Sequence, residues 1–181
     1  MTFSDIPQRI SGGSYQCNMP LDDLDDWLTR RENDPHYRLQ LNPDFQRGHV
    51  WTKEQQSAYL EYFLTGGKSG LTIYFNKPSW QAAAEGPRDY DDFVCVDGLQ
   101  RLTALQLFLG GQLPAFGQLV HEFGESIRRA PNVTGLRFNV NNLQTKAEVL
   151  TWYLQMNDGG TPHTAEEIER IKAMLQAEKE R

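Results

Sequence analysis

Leu99, Leu102, Leu105 and Phe108 or Leu109 recur at helical spacing directly behind a short apolar run, Phe93-Val94-Cys95-Val96. The pattern predicts a buried strand over 93–96 that feeds a helix over 99–109, closed by Gly110-Gly111. Leu60, Phe63 and Leu64 form an apolar stripe beside Tyr59, and Thr52 with Gln55 makes a capping box, so a second helix is expected over 52–64. Leu71-Thr72-Ile73-Tyr74-Phe75 has strong β propensity and predicts a strand over 71–75, paired with 93–96 across a loop over 77–91 rich in Ala, Gly, Pro and Asp. Further expectations are a helix over 21–31, an extended segment over 38–42, a short helical segment over 117–128, a strand over 136–140, and helices over 144–156 and 165–178. Thr164 with Glu167 repeats the capping-box pattern before the last of these. The sum is an α+β fold, one small mixed β-sheet surrounded by helices, with a loose N-terminal segment over 1–19 and a single domain over 20–181.

The strand-to-helix junction carries the richest chemistry: Asp97-Gly98-Leu99-Gln100-Arg101. A helix start leaves backbone N–H groups unpaired and partially positive, which suits an anion, and Gln100 and Arg101 add side-chain donors in the first turn. Asp97 is placed either to cap the helix or to hold a metal, and a plain cap, turn and solvated charge remain the bland alternative. A second Gln-Arg pair, Gln46-Arg47, approaches the helix start near Thr52, with His49 and Trp51 close by. Arginine offers a planar fork for phosphate, glutamine can fix a base edge or a phosphate oxygen, and Trp51 is either a stacking surface for a base or an anchor for the following helix.

Together these segments resemble the N-terminal domain of GmrSD-type restriction endonucleases, a family assigned to the ParB/sulfiredoxin-like superfamily. Pro43-Asp44-Phe45-Gln46-Arg47-Gly48-His49-Val50-Trp51 is similar to the family's first box, and Asp97-Gly98-Leu99-Gln100-Arg101-Leu102-Thr103 to its Asp-Gly-Gln-Gln-Arg box. Trp152 to Thr164, with Asn157-Asp158-Gly159-Gly160-Thr161-Pro162-His163, is similar to the turn before the family's last helix, and the likeness runs collinearly over about residues 37–175. The resemblance implies binding of a nucleoside triphosphate, with Mg²⁺ and with NTPase or phosphotransferase activity coupled to control of DNA cleavage. It places Gln46, Arg47, Trp51, Gly98, Gln100 and Arg101 around the nucleotide, Asp97 and Arg101 in catalysis, Asp97 on the metal, and His49, Asn157 and His163 at the pocket's edge. Leu99 departs from it, standing where the family has its first glutamine. The family's nuclease chemistry lies in a separate His-Asn-His type domain, for which 181 residues filled by this module leave no room.

Composition narrows the alternatives. No apolar run approaches the roughly 20 residues of a membrane span, and no signal-peptide pattern opens the chain, so a cytoplasmic protein without a membrane partner is expected. The formal net charge of −6 argues against a generic duplex binder, with acidic clusters at Asp22, Asp23, Asp25 and Asp26 and in the last helix read as solvated faces. Cys95 reads as a reduced core residue, the histidines lack zinc spacing, and neither a Gly-x-Ser-x-Gly elbow nor a Walker loop is present; Gly66-Gly67-Lys68-Ser69-Gly70 reads as a helix stop. Three readings stand: a nucleotide-binding module acting with DNA or a partner nuclease, a nucleic-acid-binding or ParB-like nuclease domain, and a non-catalytic interaction or inhibitor subunit with a degenerate site. Self-association into a homo-oligomer is compatible with each.

Overall fold

The computed structural model describes residues 2–35, 38–78, 90–124, 127, 136–157 and 164–180. Among these, four strands form one mixed sheet: β1 (Tyr15–Met19), β2 (Thr72–Asn76), β3 (Val94–Asp97) and β4 (Leu136–Asn141), in the spatial order β1-β4-β2-β3. β4 runs parallel to β2 and antiparallel to β1, while β2 and β3 pair antiparallel. Five α-helices accompany it: α1 (Leu21–Asn33), α2 (Lys53–Leu64), α3 (Leu99–Leu109), α4 (Lys146–Asn157) and α5 (Ala165–Lys179). The fold is therefore α+β with a mixed sheet, as the hydrophobic pattern predicts.

Strand alternation splits the interior into two layers. Ile73, Phe75, Cys95 and Phe138 face one side and pack with Leu24 and Leu28 of α1, Leu60 and Phe63 of α2, and Leu102, Leu105 and Phe108 of α3. Tyr74, Val94 and Val96 point the other way, against Val149, Leu150, Trp152 and Tyr153 of α4 and Ile171 of α5, with Phe45 in the same cluster. Both capping boxes form as expected: Thr52 Oγ1 accepts from the Gln55 amide at 3.3 Å, and Thr164 Oγ1 from the Glu167 amide at 3.2 Å.

The N-terminal segment is less loose than expected. Tyr15–Met19 is an edge strand in register with β4, pairing Tyr15 with Val140 and Met19 with Leu136, so the sheet begins inside the segment assigned to 1–19. Of its residues Met19 alone is fully buried, which leaves no apolar alternation to betray it. Of the short helical segment expected over 117–128, the described residues show a 3₁₀ turn, Val120–Phe123, set between Gly117 and Gly124, which both take φ of +73°, and a helical Ile127; the rest lies outside the described residues. The extended segment over 38–42 makes one parallel bridge to the edge of β3: the Gln40 amide donates to Phe93 O at 2.7 Å and Gln40 O accepts from the Cys95 amide at 2.9 Å. Most of the expected loop over 77–91 lies outside the described residues. Cys95 is buried with a free thiol, and burial pushes its pKa up, leaving it inert as expected.

Candidate functional site

The site forms where β3 ends and α3 begins. β3 carries an extra residue against β2, pairing Tyr74 with Asp97 but Phe75 with Cys95, a bulge at the strand end just before α3. Gly98 follows with φ +113° and serves as the N-cap of α3, where it offers no side chain to the helix's first N–H groups. A Cβ there would sit 2.6 Å from Ile73 Cδ1, so glycine is required by packing as well as by backbone. Asp97 is thus not the cap, because it closes β3 one residue too early. Its carboxylate instead accepts from Arg101, whose Nη1 also donates to Thr72 O at 2.7 Å.

The two glutamines join the boxes to each other. Gln46 Nε2 donates to Val96 O at 2.9 Å and Cys95 O at 3.2 Å, anchoring the first box to the bulged strand. Gln100 Oε1 accepts from the amides of Val50 at 3.1 Å and Trp51 at 3.2 Å, and its Nε2 donates to Gly48 O. Gln100 therefore spends its whole amide on holding the 48–51 loop against α3. Between these struts Arg47 lines the pocket, half-buried, with neither a hydrogen bond nor an ion pair among the described residues.

The resulting pocket has a volume of about 410 Å³, within the roughly 300–1,000 Å³ typical of small-molecule sites. Gln46, Arg47, Trp51, Asp97, Gly98, Gln100 and Arg101 all line it, so the two sequence boxes converge as expected, and Asn157 joins them from the end of α4. His49 does not line it; its Nδ1 meets Thr103 Oγ1 at 3.1 Å, and Thr103 in turn donates to Leu99 O. His163 lies outside the described residues. The structure adds four lining residues that sequence reasoning did not assign to the site: Tyr74, Leu99, Tyr153 and Met156. For two of them a signal was present, since Tyr153 stands four residues before Asn157 on one face of α4 and Tyr74 alternates with the core residues Ile73 and Phe75.

Trp51 serves both readings open to it, as its ring lies 5.5 Å from that of Tyr59 on α2 while it also walls the pocket. Burial pushes the Tyr153 hydroxyl up to about 12, opposed by the nearby charge of Arg47, so it lines the pocket uncharged. Tyr59 is likewise pushed up to about 12 by burial, with Arg101 opposing. Asp97 is the one carboxylate lining the pocket among the described residues, and no group of three His, Cys, Asp or Glu side chains gathers there for a metal. That donor set suits a Mg²⁺ carried in on phosphate oxygens and touched by Asp97, because Mg²⁺ commonly needs only one or two carboxylates when phosphates supply the rest. No helix among the described residues is long and apolar enough to cross a membrane.

Fold and site define an α+β domain whose pocket combines an uncapped helix start, a free arginine and an aromatic wall. The chain belongs to the family described as GmrSD restriction endonuclease, N-terminal domain, whose model matches residues 24–132, and that membership ties it to restriction systems. Searches of curated proteins and of solved structures find no match to this chain. α4, which supplies the far wall of the pocket through Tyr153, Met156 and Asn157, and α5, which packs against α4, lie beyond the matched residues.

Proposed function

We propose that this domain binds a nucleoside triphosphate and reports its presence to a DNA-cleaving partner of a restriction system. The observation that carries the reading is the placement of the uncapped α3 start and the unengaged Arg47 guanidinium in one pocket. Backbone N–H groups at a helix start and a planar guanidinium both recognise phosphate oxygens, and together they accommodate a chain of phosphates better than a single anion. Trp51, Tyr74 and Tyr153 give the other end of such a ligand an apolar surface with a base-sized face. Hydrolysis or phosphoryl transfer here would fall to Asp97, orienting a water or a phosphate-bound Mg²⁺, with Arg101 holding the Asp97 carboxylate in place. A ParB/sulfiredoxin-like ancestry, implied by the sequence boxes, agrees with this use of the fold.

A thermal-shift panel of ATP, CTP, GTP and UTP, each with and without Mg²⁺, tests the proposal. At a concentration 100 times its dissociation constant, a bound nucleotide stabilises the fold by about 2.7 kcal/mol. A panel in which none of the four raises the melting temperature would remove the nucleotide reading and favour a non-catalytic interaction subunit.

A further inference from the structure

Arg170 of α5 grips the backbone of the first box. Its Nη1 donates to Asp44 O at 2.9 Å, and its Nη2 to Phe45 O at 3.2 Å and Gln46 O at 3.5 Å, so one guanidinium bridges three successive carbonyls. The next residue is Arg47. Three further contacts fix the same stretch: the Lys146–Asp44 ion pair at 2.7 Å from the start of α4, the Phe45 ring packed 5.3 Å from Tyr153, and the Gln46 amide on β3. Arg47 itself has no hydrogen-bond or ion-pair partner among the described residues, so the protein's hold on this position comes through the backbone that Arg170 grips.

We infer that Arg170 is a positioning residue for the ligand site, acting from outside the pocket by fixing the Asp44–Gln46 backbone so that Arg47 points at the ligand. Arginine is suited to this task because its fork spans neighbouring carbonyls, whereas a lysine ammonium meets them from a single point. The charge of Arg170 also reaches the pocket, since Tyr153 feels Arg170 as well as Arg47. The consequence is regulatory: ligand contact at Arg47 and the docking of α5 are coupled, so an event that pulls α5 away loosens the site, and an occupied site holds α5 more firmly. This rests on the nucleotide reading above for its ligand, though the hold on the loop is independent of it.

The test uses the full chain as Arg170→Gln, Arg170→Lys, Arg47→Ala and the double variant Arg47→Ala with Arg170→Gln, titrated calorimetrically with ATP, CTP, GTP and UTP in Mg²⁺. Arg170→Gln is expected to weaken binding about tenfold, and Arg170→Lys by less. In the Arg47→Ala background the Arg170→Gln effect should collapse to under about twofold, because the residue acts through Arg47. Amide exchange at Gln46 in ligand-free protein should accelerate in Arg170→Gln. Unchanged affinity, or the same loss with and without Arg47, overturns the inference; if Arg170→Gln fails to fold, Arg170→Lys carries the same comparison. Should the unmodified chain bind none of the four nucleotides, the nucleotide reading falls by itself, and unchanged exchange at Gln46 then separately removes the hold of Arg170 on the loop.

Discussion

Arg47 and Arg101 each follow a glutamine, each stands near a helix start, and both line the same pocket, yet folding gives them opposite employment. Arg101 is turned inward, 15% exposed, with Asp97 and the Thr72 carbonyl as partners, so it ties β2, β3 and α3 into one unit. Arg47 stands in a loop and touches no partner among the described residues. The glutamines divide differently: Gln100 uses its oxygen and its nitrogen as struts, while among the described residues only the Gln46 nitrogen is engaged, on the carbonyls of β3. Motifs alike in composition thus separate into a scaffold half, Asp97 to Arg101, and a contact half, Gln46 to Trp51. The scaffold half is placed by hydrogen bonds to strands, and the contact half is then hung from it.

The largest effect on the ligand-free fold should come from the scaffold's tightest point. Gly98→Ala must hold φ near +113° with a methyl 2.6 Å from Ile73 Cδ1 and 3.3 Å from Ile73 Cα, and the backbone atom cannot move aside cheaply. A loss of about 3 kcal/mol is expected, read as a shift in the urea midpoint at unchanged slope. A variant as stable as the parent would mean that the junction can relax and that the scaffold half is softer than its geometry indicates.

Next in size is Arg101→Ala, which strips the Thr72 carbonyl of a part-buried donor and leaves Asp97 without its ion-pair partner. Because Asp97 is 42% exposed, water screens the ion pair, and most of the cost comes from the carbonyl and from lost side-chain packing. About 2 kcal/mol of destabilisation is expected by denaturant titration. Placed on sequence alone, Arg101 reads as a phosphate contact in an exposed first turn, so a variant that folds as well as the parent but loses nucleotide would restore that assignment and dissolve the contrast with Arg47.

Much of the architecture was legible because it follows from hydrophobic period. The helix over 99–109 and the strands around 71–76 and 93–97 lie where apolar spacing puts them, since these elements are buried on a consistent face. β1 was not legible, because an edge strand buried only at Met19 carries almost no pattern. Convergence of the two boxes was readable from their chemistry and likeness to a family. What each side chain does within the site was not, because it depends on a β-bulge, on Gly98 taking the cap position from Asp97, and on carbonyls supplied by residues far away in sequence. Leu99 was legible both ways: it departs from the family's glutamine yet fits the apolar helix spacing, and in the fold it is 4% exposed while still lining the pocket.

The smallest effect on the fold and the sharpest test of the contrast belong to Arg47→Ala. The side chain forms no hydrogen bond or ion pair among the described residues, so its removal should change ligand-free stability by no more than about 0.5 kcal/mol. Binding should respond differently, because a charge-assisted contact to phosphate contributes roughly 1.5–3 kcal/mol, or more than tenfold in affinity for the nucleotide that gives the largest thermal shift. Measured side by side, Arg101→Ala should lower the melting temperature with or without nucleotide, and Arg47→Ala should cut only the nucleotide-dependent rise, to about half or less. If Arg47→Ala keeps the full rise, the free guanidinium is not the ligand arm, and the anion must be held by the α3 start alone.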